Sequence, residues 1–394
     1  MVNPKSILLR VVILTLFFLS NASFGQKILG IDVSKKTPIE LIPDTTFENI
    51  TEDVIVPKPE IYQIKYLPDY VTYNSKSGFP DPFCYNVTQD DYGHLWIALD
   101  REGLTYFNGD KFNTLNLANG LVSNHVKILD RDNDGNIWAG TYVGVQIIQN
   151  LKVVSEEIEE GLQKRVRAMY CFGDNSAFIS LQDKGLFFAH FDGKKIQFNS
   201  LIEKETGFIS SLSIKGNELY YSIENSLYKC EIQHGNKVGK SIFLKEFSER
   251  IKKIKVFDSK ISVATEGNLF SQKDGSFTPI LDSVYNVNDF IYDSEKKEWI
   301  VATYFSGLLK KSFGSATESI NLGLTLGLVY SLFRDNDNNL WISTGSDGLI
   351  KLLNSQFNRI DLGTEFVQTI KIDDELYGAT DKGYAIITDS IIEL

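Results

Sequence analysis

One short motif recurs along the chain and constrains its fold more than any other feature. Segments that begin at Gln89, Arg131 and Arg334 each join an Asp- and Asn-rich turn to Leu-Trp or Ile-Trp, with a glycine and an aliphatic residue soon after. The tryptophans of the first two copies, Trp96 and Trp138, lie 42 residues apart. A repeat of roughly 40 residues that contains a turn and strand-forming residues is typical of recurring β-sheet modules. The chain is therefore expected to contain many copies of one small sheet.

Weaker copies of the motif fill the intervals and bring the count to eight modules. The modules begin near Cys84, Val126, Val166, Phe208, Ile251, Val287, Val329 and Phe366. Each module is expected to form four short strands, because apolar segments alternate with turn signals such as Asn108-Gly109 and Asp274-Gly275. Apolar residues show no sustained helical period, which favours an all-β fold.

We predict an all-β β-propeller of four-stranded blades, with eight blades favoured and seven as the alternative. A sandwich would not require the same four-stranded unit at such regular intervals. Residues 70–74 look like the fourth strand of a module whose first three strands do not precede it. The last module, in contrast, has three strands and too few residues after them for a clear fourth strand. The N-terminal strand is therefore expected to complete the last sheet and close the ring. With seven blades, the eighth module would start a structure that this chain does not contain.

The first 25 residues have the pattern of a secretory signal peptide. Lys5 and Arg10 precede a short apolar segment from Val11 to Leu19, and Ser23 and Gly25 supply small residues for cleavage. An uncleaved anchor is the alternative. Proline-rich residues 26–60 suggest an extended leader, which leaves residues 61–394 for the propeller. A periplasmic or secreted location is expected.

Charge and composition exclude several classes of function. The net charge of −11 argues against nucleic acid or an anionic lipid surface as a partner. The three cysteines have no metal-ligand spacing and are expected to be buried thiols. The four histidines are scattered, and no nucleophile or nucleotide motif is present. The sequence thus predicts a binding protein rather than an enzyme, with no cofactor.

The motif copies at residues 84–107, 126–149 and 329–352 resemble the two-component regulator propeller repeat. They follow the pattern of an Asp-rich turn, Leu-Trp or Ile-Trp, and then glycine with an aliphatic residue. The resemblance implies a periplasmic sensor propeller of bacterial two-component or hybrid sensor proteins, which usually precedes a membrane span and an output domain. Because neither occurs before Leu394, the chain is interpreted as a truncated sensor or as a free-standing propeller that acts through a membrane sensor or signalling partner.

Loops on one face of such a ring are the expected ligand site. In a four-stranded blade, the loop between the second and third strands shares a face with the loop between blades, around the channel. The candidates are Arg101, Glu102, Asn124, His125, Tyr142, Asp183, Lys184, Tyr304, Phe305, Asp347 and Lys382. Aromatic and charged groups together suit a small polar ligand such as an oligosaccharide. The alternative for each residue is an ordinary solvated loop.

The predicted function is an extracytoplasmic ligand-binding sensor propeller of two-component-type signalling. A free-standing protein-interaction scaffold is the first alternative, and a propeller lyase or hydrolase is the second. A calcium site is a weak additional hypothesis, because Asp130, Asp132 and Asp134 match the first half of an EF-hand loop. Thr141 stands where that loop would need a bidentate glutamate, and hairpin chemistry explains the same residues.

Overall fold

The fold is known from a computed structural model of the full chain. Backbone is described for residues 27–28, 31–32, 61–63 and 65–393, and side chains for residues 69–354, with short gaps in both. These gaps are residues 156–157, 204–206, 234–236, 258, 284, 321, 323–325, 355–357, 362–365, 373–374, 381–382 and 388–390. Residues 1–25, the predicted signal peptide, lie outside the described part.

The chain divides into two compact units at residues 59 and 60. In the first unit, the described residues form a short antiparallel pair, Lys27–Ile28 with Ile31–Asp32. The second unit contains the repeated sheets. Within the described residues, no helix is both long and apolar enough to cross a bilayer.

Seven antiparallel four-stranded sheets, which we number as blades 1 to 7, follow one another along the second unit. In blades 1 to 6 the strands lie side by side in sequence order. The strands of blades 1 to 3 are Cys84–Gln89, Leu95–Leu99, Leu104–Phe107 and Phe112–Leu115; Val126–Arg131, Ile137–Thr141, Gly144–Gln149 and Lys152–Val153; and Val166–Cys171, Ser176–Leu181, Gly185–Phe191 and Ile196–Ile202. Those of blades 4 to 6 are Leu212–Lys215, Glu218–Ile223, Ser226–Glu231 and Ile242–Glu246; Ile251–Phe257, Lys260–Thr265, Leu269–Lys273 and Ser276–Pro279; and Val287–Asp293, Glu298–Thr303, Leu308–Ser312 and Glu318–Ser319. Two single-turn 3-10 helices, Ser75–Ser77 and Leu117–Asn119, lie in connecting segments.

Blade 7 closes the ring with a strand from the N-terminal side. Its first three strands are Val329–Arg334, Leu340–Thr344 and Leu349–Leu352, and the fourth is Tyr70–Tyr73. The prediction of a propeller with four-stranded blades is confirmed, but the favoured count of eight is wrong and the alternative of seven is right. The N-terminal strand closes the ring as expected, but it completes the seventh module and not the last one.

The physical reason for seven blades lies at the junction of blades 7 and 1. Rings of Tyr330 and Tyr85, from the innermost strands of the two blades, are 4.8 Å apart between centroids. The thiol of Cys84 lies 3.3 Å from the hydroxyl oxygen of Ser343, across the same junction. These direct contacts leave no room for another blade between them.

The eighth module forms a separate sheet. Its strands are Phe366–Ile372, Glu375–Thr380, Gly383–Ile387 and Ile391–Glu393, and Ile61–Gln63 is added at the edge. Asn358–Asp361 pairs with Lys65–Pro68 in a further two-stranded sheet. The predicted propeller range of 61–394 therefore contains these strands as well as the ring.

Apolar packing between blades holds the ring together. Seven clusters of buried apolar side chains are found among the described residues, one at each blade junction. At the junction of blades 2 and 3, for example, Trp138 packs in one cluster with Val166 and Met169. Because a blade buries its apolar faces only against its neighbours, the core is complete only when the ring is closed.

The aspartate of the motif has a specific role in this packing. In three blades its carboxylate accepts the indole N–H of the motif tryptophan, at 2.8–2.9 Å. The pairs are Asp90 with Trp96, Asp132 with Trp138 and Asp335 with Trp341. A buried indole N–H needs such an acceptor, so the aspartate both shapes the turn and fixes the tryptophan.

The glycine of the motif is required by close packing of the backbone. Gly103 has φ of +96°, and a Cβ atom there would lie 2.3 Å from the carbonyl oxygen of Leu115 on the fourth strand. In blade 7 a Cβ on Gly348 would lie 2.2 Å from the carbonyl oxygen of Tyr73. Only glycine allows the fourth strand to come this close.

We expect Gly103→Ala to destabilise the protein by about 2–4 kcal/mol, because strain at positive φ adds to a clash with the backbone. Gly109→Ala is the matched control, since Gly109 has a similar φ of +94° but nothing within 4 Å of an added Cβ. The control should cost only about 1 kcal/mol. Urea denaturation measures both values, and equal losses would contradict the role of close packing.

Candidate ligand site at the channel mouth

A repeated β-bulge places one side chain from each of six blades in the central channel. In six of the seven blades, the pairing between the first and second strands shifts after the first residue. The residue left over in each case lines a channel cavity of about 620 Å³. A bulge commonly re-aims a side chain in this way. These six residues, which we call the bulge ring, are Tyr85, Lys127, Arg167, Lys252, Asn288 and Tyr330.

Contacts across three blades order one side of the bulge ring. Tyr330 packs edge-on against Tyr85, and the ammonium of Lys127 lies 5.0 Å from the centre of the Tyr85 ring. The Tyr85 hydroxyl donates to the carboxylate of Asp100 at 2.8 Å. Burial and this carboxylate raise the pKa of Tyr85, so its hydroxyl stays protonated and can keep donating.

The predicted residues His125 and Tyr142 lie together beside this group. Nδ1 of His125 is 3.6 Å from Oδ1 of Asp100, and its ring stacks on Tyr142 at 5.0 Å between centroids. The guanidinium of Arg165 lies 4.2 Å from the centre of the Tyr142 ring. The interblade loops and the loops between second and third strands therefore do share a face, as the sequence predicted.

A second aromatic platform lies next to it. The Arg167 guanidinium is 4.9 Å from the centre of the Phe208 ring, and that of Arg250 is 6.0 Å from the same centre. Arg167 donates to the side-chain oxygen of Gln182 at 2.9 Å, and Arg250 donates to Glu224 at 3.0 Å. Two guanidinium groups thus lie within cation–π distance of one phenyl ring.

Other predicted residues on this face occupy separate places. Asp183 and Lys184 line a small cavity of about 110 Å³ with Arg167. Tyr304 and Phe305 pack edge-on at 4.6 Å and are 40% and 74% exposed. These four side chains remain available to a ligand that extends from the channel.

The rest of the predicted set is not gathered into one site. The backbone N–H of Arg101 donates to Asp81, and its guanidinium lies 3.8 Å from the same carboxylate. Asn124 accepts the backbone N–H of Leu117, which is a local structural bond. The remaining three are Glu102, which is exposed, Asp347, which accepts the Ser346 hydroxyl, and Lys382, which lies outside the described residues.

Below the mouth, polar side chains join the innermost strands of neighbouring blades. Each accepts a backbone N–H from the first strand of the next blade in the sequence, at 2.7–3.0 Å. Three of these side chains lie on the first strand of their own blade, and the fourth, Ser211, lies just before it. The four acceptors are Asn86, Asp130, Ser211 and Asp289. Unpaired backbone groups in a buried channel are costly, so these side chains have a structural function.

The three aspartates proposed as calcium ligands accept hydrogen bonds from protein groups. Asp130 accepts the N–H of Cys171, Asp132 accepts from Asn136 and Trp138, and Asp134 accepts from the Asn175 amide. No group of three or more metal-ligating side chains converges within the described part of the chain. The contacts account for these carboxylates without a metal, and the calcium hypothesis stays untested.

The sequence analysis missed Tyr85, Lys127, Arg165, Arg167 and Lys252. A signal for the bulge ring was present, because each member directly follows the buried residue that begins its blade, as in Val126-Lys127 and Val166-Arg167. Aligning the modules on that buried residue would have shown a column of large polar side chains. Without the register, however, nothing indicates that this column faces the channel.

The pKa of Lys127 reflects the burial and the positive charge at the mouth. Burial, together with the positive charges of Arg165, Arg167 and Lys252, lowers its pKa to about 8, and Asp100 opposes the shift. In the unfolded chain Lys127 has its usual pKa of about 10.5. Between pH 8 and about 10.5, Lys127 is therefore protonated more often in the unfolded chain than in the folded protein. Stability should therefore rise with pH across this window.

We expect Lys127→Met to stabilise the protein at pH 7 by about 2 kcal/mol, because it removes a partly desolvated charge. The gain should shrink as the pH approaches 10, where Lys127 is neutral in the wild type. Lys184→Met, at an exposed position, is the control and should have little effect. Denaturation midpoints at pH 7, 8, 9 and 10 test this, and a gain that does not change with pH would contradict it.

The closed ring of seven four-stranded blades with a polar channel mouth defines the protein as a β-propeller. Residues 323–346 match the two component regulator propeller family. The match lies in blade 7 and confirms the resemblance that the motif copies predicted. No curated protein matches the chain significantly.

Solved structures share the propeller fold. The extracellular domain of a protein described as a hybrid two-component system from B. thetaiotaomicron has a TM-score of 0.61 and 18% identity, over 82% of this chain and 48% of that one. A second such domain from the same organism has a TM-score of 0.57 and 17% identity, over 83% and 46%. Virginiamycin B lyase from Staphylococcus aureus, with quinupristin, has a TM-score of 0.59 and 13% identity, over 73% and 99%. The chain thus spans less than half of the sensor domains that it matches.

Proposed function

We propose that the chain is an extracytoplasmic sensor propeller of two-component-type signalling, which binds a small polar ligand at the channel mouth and does not transform it. The observation that carries this proposal is the bulge ring, which brings aromatic and cationic side chains from several blades into one concave opening. The regulator-propeller match and the likeness to extracellular sensor domains support the signalling role and the location.

The mouth has the properties of a preformed binding site. The channel cavity lined by the bulge ring has a volume of about 620 Å³, within the range typical of small-molecule pockets, about 300–1,000 Å³. Aromatic contacts restrain the side chains of Lys127, Arg165 and Arg167. Side chains that are already ordered lose less entropy on binding, which favours affinity.

An interaction scaffold is the second candidate function. Ile242 and Phe243, on the fourth strand of blade 4, are adjacent and just over half exposed, and Phe313 in blade 6 is 98% exposed. Exposed apolar groups of this kind favour contact with another protein. The likeness to virginiamycin B lyase, at 13% identity, concerns the fold alone.

A thermal-shift screen tests the proposal. The protein without residues 1–25 is heated with saccharides, small organic acids and divalent metals, with and without chelator. Binding to the folded state should raise the midpoint saturably for one ligand class. Tyr330→Ala, which removes one aromatic wall of the mouth, should weaken that shift, whereas Phe313→Ala should not. If no ligand shifts a cooperative transition, the scaffold becomes the better interpretation.

A further inference from the structure

Five cationic side chains gather on one side of the mouth. They come from blades 2, 3 and 5 and from the segments just before blades 3 and 5, and they are Lys127, Arg165, Arg167, Arg250 and Lys252. The whole chain carries a net charge of −11, so this concentration of positive charge runs against the general composition. Like charges held together in a partly buried place destabilise the fold.

Acidic neighbours neutralise only part of this cluster. Arg250 pairs with Glu224 at 3.0 Å, and Lys252 lies 3.6 Å from Glu266. Lys127, Arg165 and Arg167 are in none of the ion pairs formed among the described residues within 4.0 Å. The nearby carboxylate of Asp100 is already bonded to the hydroxyl of Tyr85.

Two buried donors in this cluster lack acceptors. The Nε atoms of Arg165 and Arg167 are inaccessible to solvent and have no hydrogen-bond partner in the described part of the structure. A buried donor without a hydrogen-bond partner destabilises the folded state. Tyr142 and Phe208 nevertheless hold both guanidinium planes in fixed positions, at 4.2 and 4.9 Å from the ring centres.

A guanidinium group has a planar fork of donors that matches the two oxygens of a carboxylate or of a sulfate. Oxygen acceptors of this kind can bond the terminal N–H groups of the two guanidinium groups, and their negative charge offsets the like-charge repulsion. A neutral ligand could supply acceptors but would leave the repulsion in place. The uncompensated positive charge therefore favours an anion.

We infer that the ligand of the mouth is an anion that carries a carboxylate or sulfate group, held by Arg165 and Arg167 with Lys127 beside them. The inference rests on the proposed function and adds the chemical class of the ligand. Tyr142 and Phe208 pack against the two guanidinium groups and so hold them in position for the anion.

Isothermal titration calorimetry at low and moderate salt tests the inference. The probes are a uronate disaccharide, a sulfated disaccharide and the neutral disaccharide of the same ring size, each titrated into the protein without residues 1–25. At least one anionic probe should bind at least about 10-fold more tightly than the neutral one, and added salt should weaken it. The stronger of the two anionic probes distinguishes carboxylate from sulfate.

Matched variants locate the site. Arg165→Gln and Arg167→Gln should each weaken the anionic probe about 10-fold or more. Lys164→Gln, which removes an exposed positive charge from the segment that carries Arg165, should leave binding unchanged. Because the two test variants relieve repulsion, their melting midpoints should equal or exceed that of the wild type, which separates lost binding from lost folding.

The outcomes separate the two claims. If the neutral probe binds as well as the anionic probes, or if the arginine variants bind like the wild type, the inference fails and the proposed function stands. If none of the three probes binds and the broader thermal-shift screen is also silent, both fail.

Discussion

A chain that begins at residue 75 should lose cooperative unfolding and self-associate, whereas one that begins at residue 60 should behave like the longer protein. The shorter chain lacks Tyr70–Tyr73, the fourth strand of blade 7, and also Ile61–Gln63 and Lys65–Pro68, which pair with strands outside the ring. Loss of Tyr70–Tyr73 leaves the third strand, Leu349–Leu352, as an exposed edge that can pair with another molecule. The expected loss of stability exceeds about 5 kcal/mol, which is comparable to the whole stability of a typical domain.

Aromatic packing explains why so short a strand has so large an effect. The ring of Tyr73 stacks on Trp341 at 5.6 Å between centroids and packs against Phe107 and Phe112 of blade 1. The strand therefore holds blades 7 and 1 together as well as completing one sheet. Removing it opens the core at that junction.

Size-exclusion chromatography and urea denaturation of the two truncated chains provide the measurement. A synthetic peptide of residues 65–80, added to the shorter chain, should restore a cooperative transition if the strand pairs as described. A monomeric shorter chain with an unchanged transition would show that the ring does not depend on this closure.

The second large effect is expected at the motif tryptophan of blade 2. Trp138→Ala should cost about 3–5 kcal/mol, because it empties a fully buried site between blades 2 and 3. Trp138→Phe keeps most of the ring but leaves the Asp132 carboxylate without the indole N–H, and should cost about 1–3 kcal/mol. Denaturation midpoints with unchanged slopes would give both values.

Trp299 is the matched control, since it belongs to the copy in which the tryptophan is displaced by one residue. Its side chain is half-buried and packs on Phe257 and Tyr292. Trp299→Ala should therefore cost clearly less than Trp138→Ala. Equal losses would contradict the special role of the motif position.

Much of the blade architecture could be predicted from the sequence because its causes are local. The Asp- and Asn-rich turns, the glycine before the third strand and the buried tryptophan each act within one module. Predicted module starts such as Cys84, Val126 and Val329 coincide with the first residues of innermost strands. In blade 4 the prediction began at Phe208, but the strand begins at Leu212, where the motif is degenerate.

The candidate site was predicted only in part. His125 and Tyr142 lie at the mouth because loop positions follow from strand order, which the repeat shows. The bulge ring was missed, since the bulge re-aims a residue such as Arg167 toward the channel. Alternation along the strand gives the wrong face at that position.

The amino-acid sequence by itself determined that the chain forms four-stranded β modules and that these stack through a tryptophan or a similar large apolar residue. Only the tertiary structure decided how many modules enter the ring and which residues face the channel. The number of blades depends on which module's third strand pairs with Tyr70–Tyr73, and in the structure this is Leu349–Leu352 of blade 7. The residue pattern of the fourth strands is too weak to predict this pairing. The channel face depends on the bulge at positions such as Lys127. Because the bulge arises from the pairing of two strands, the residue types of one strand do not show which way such a side chain points.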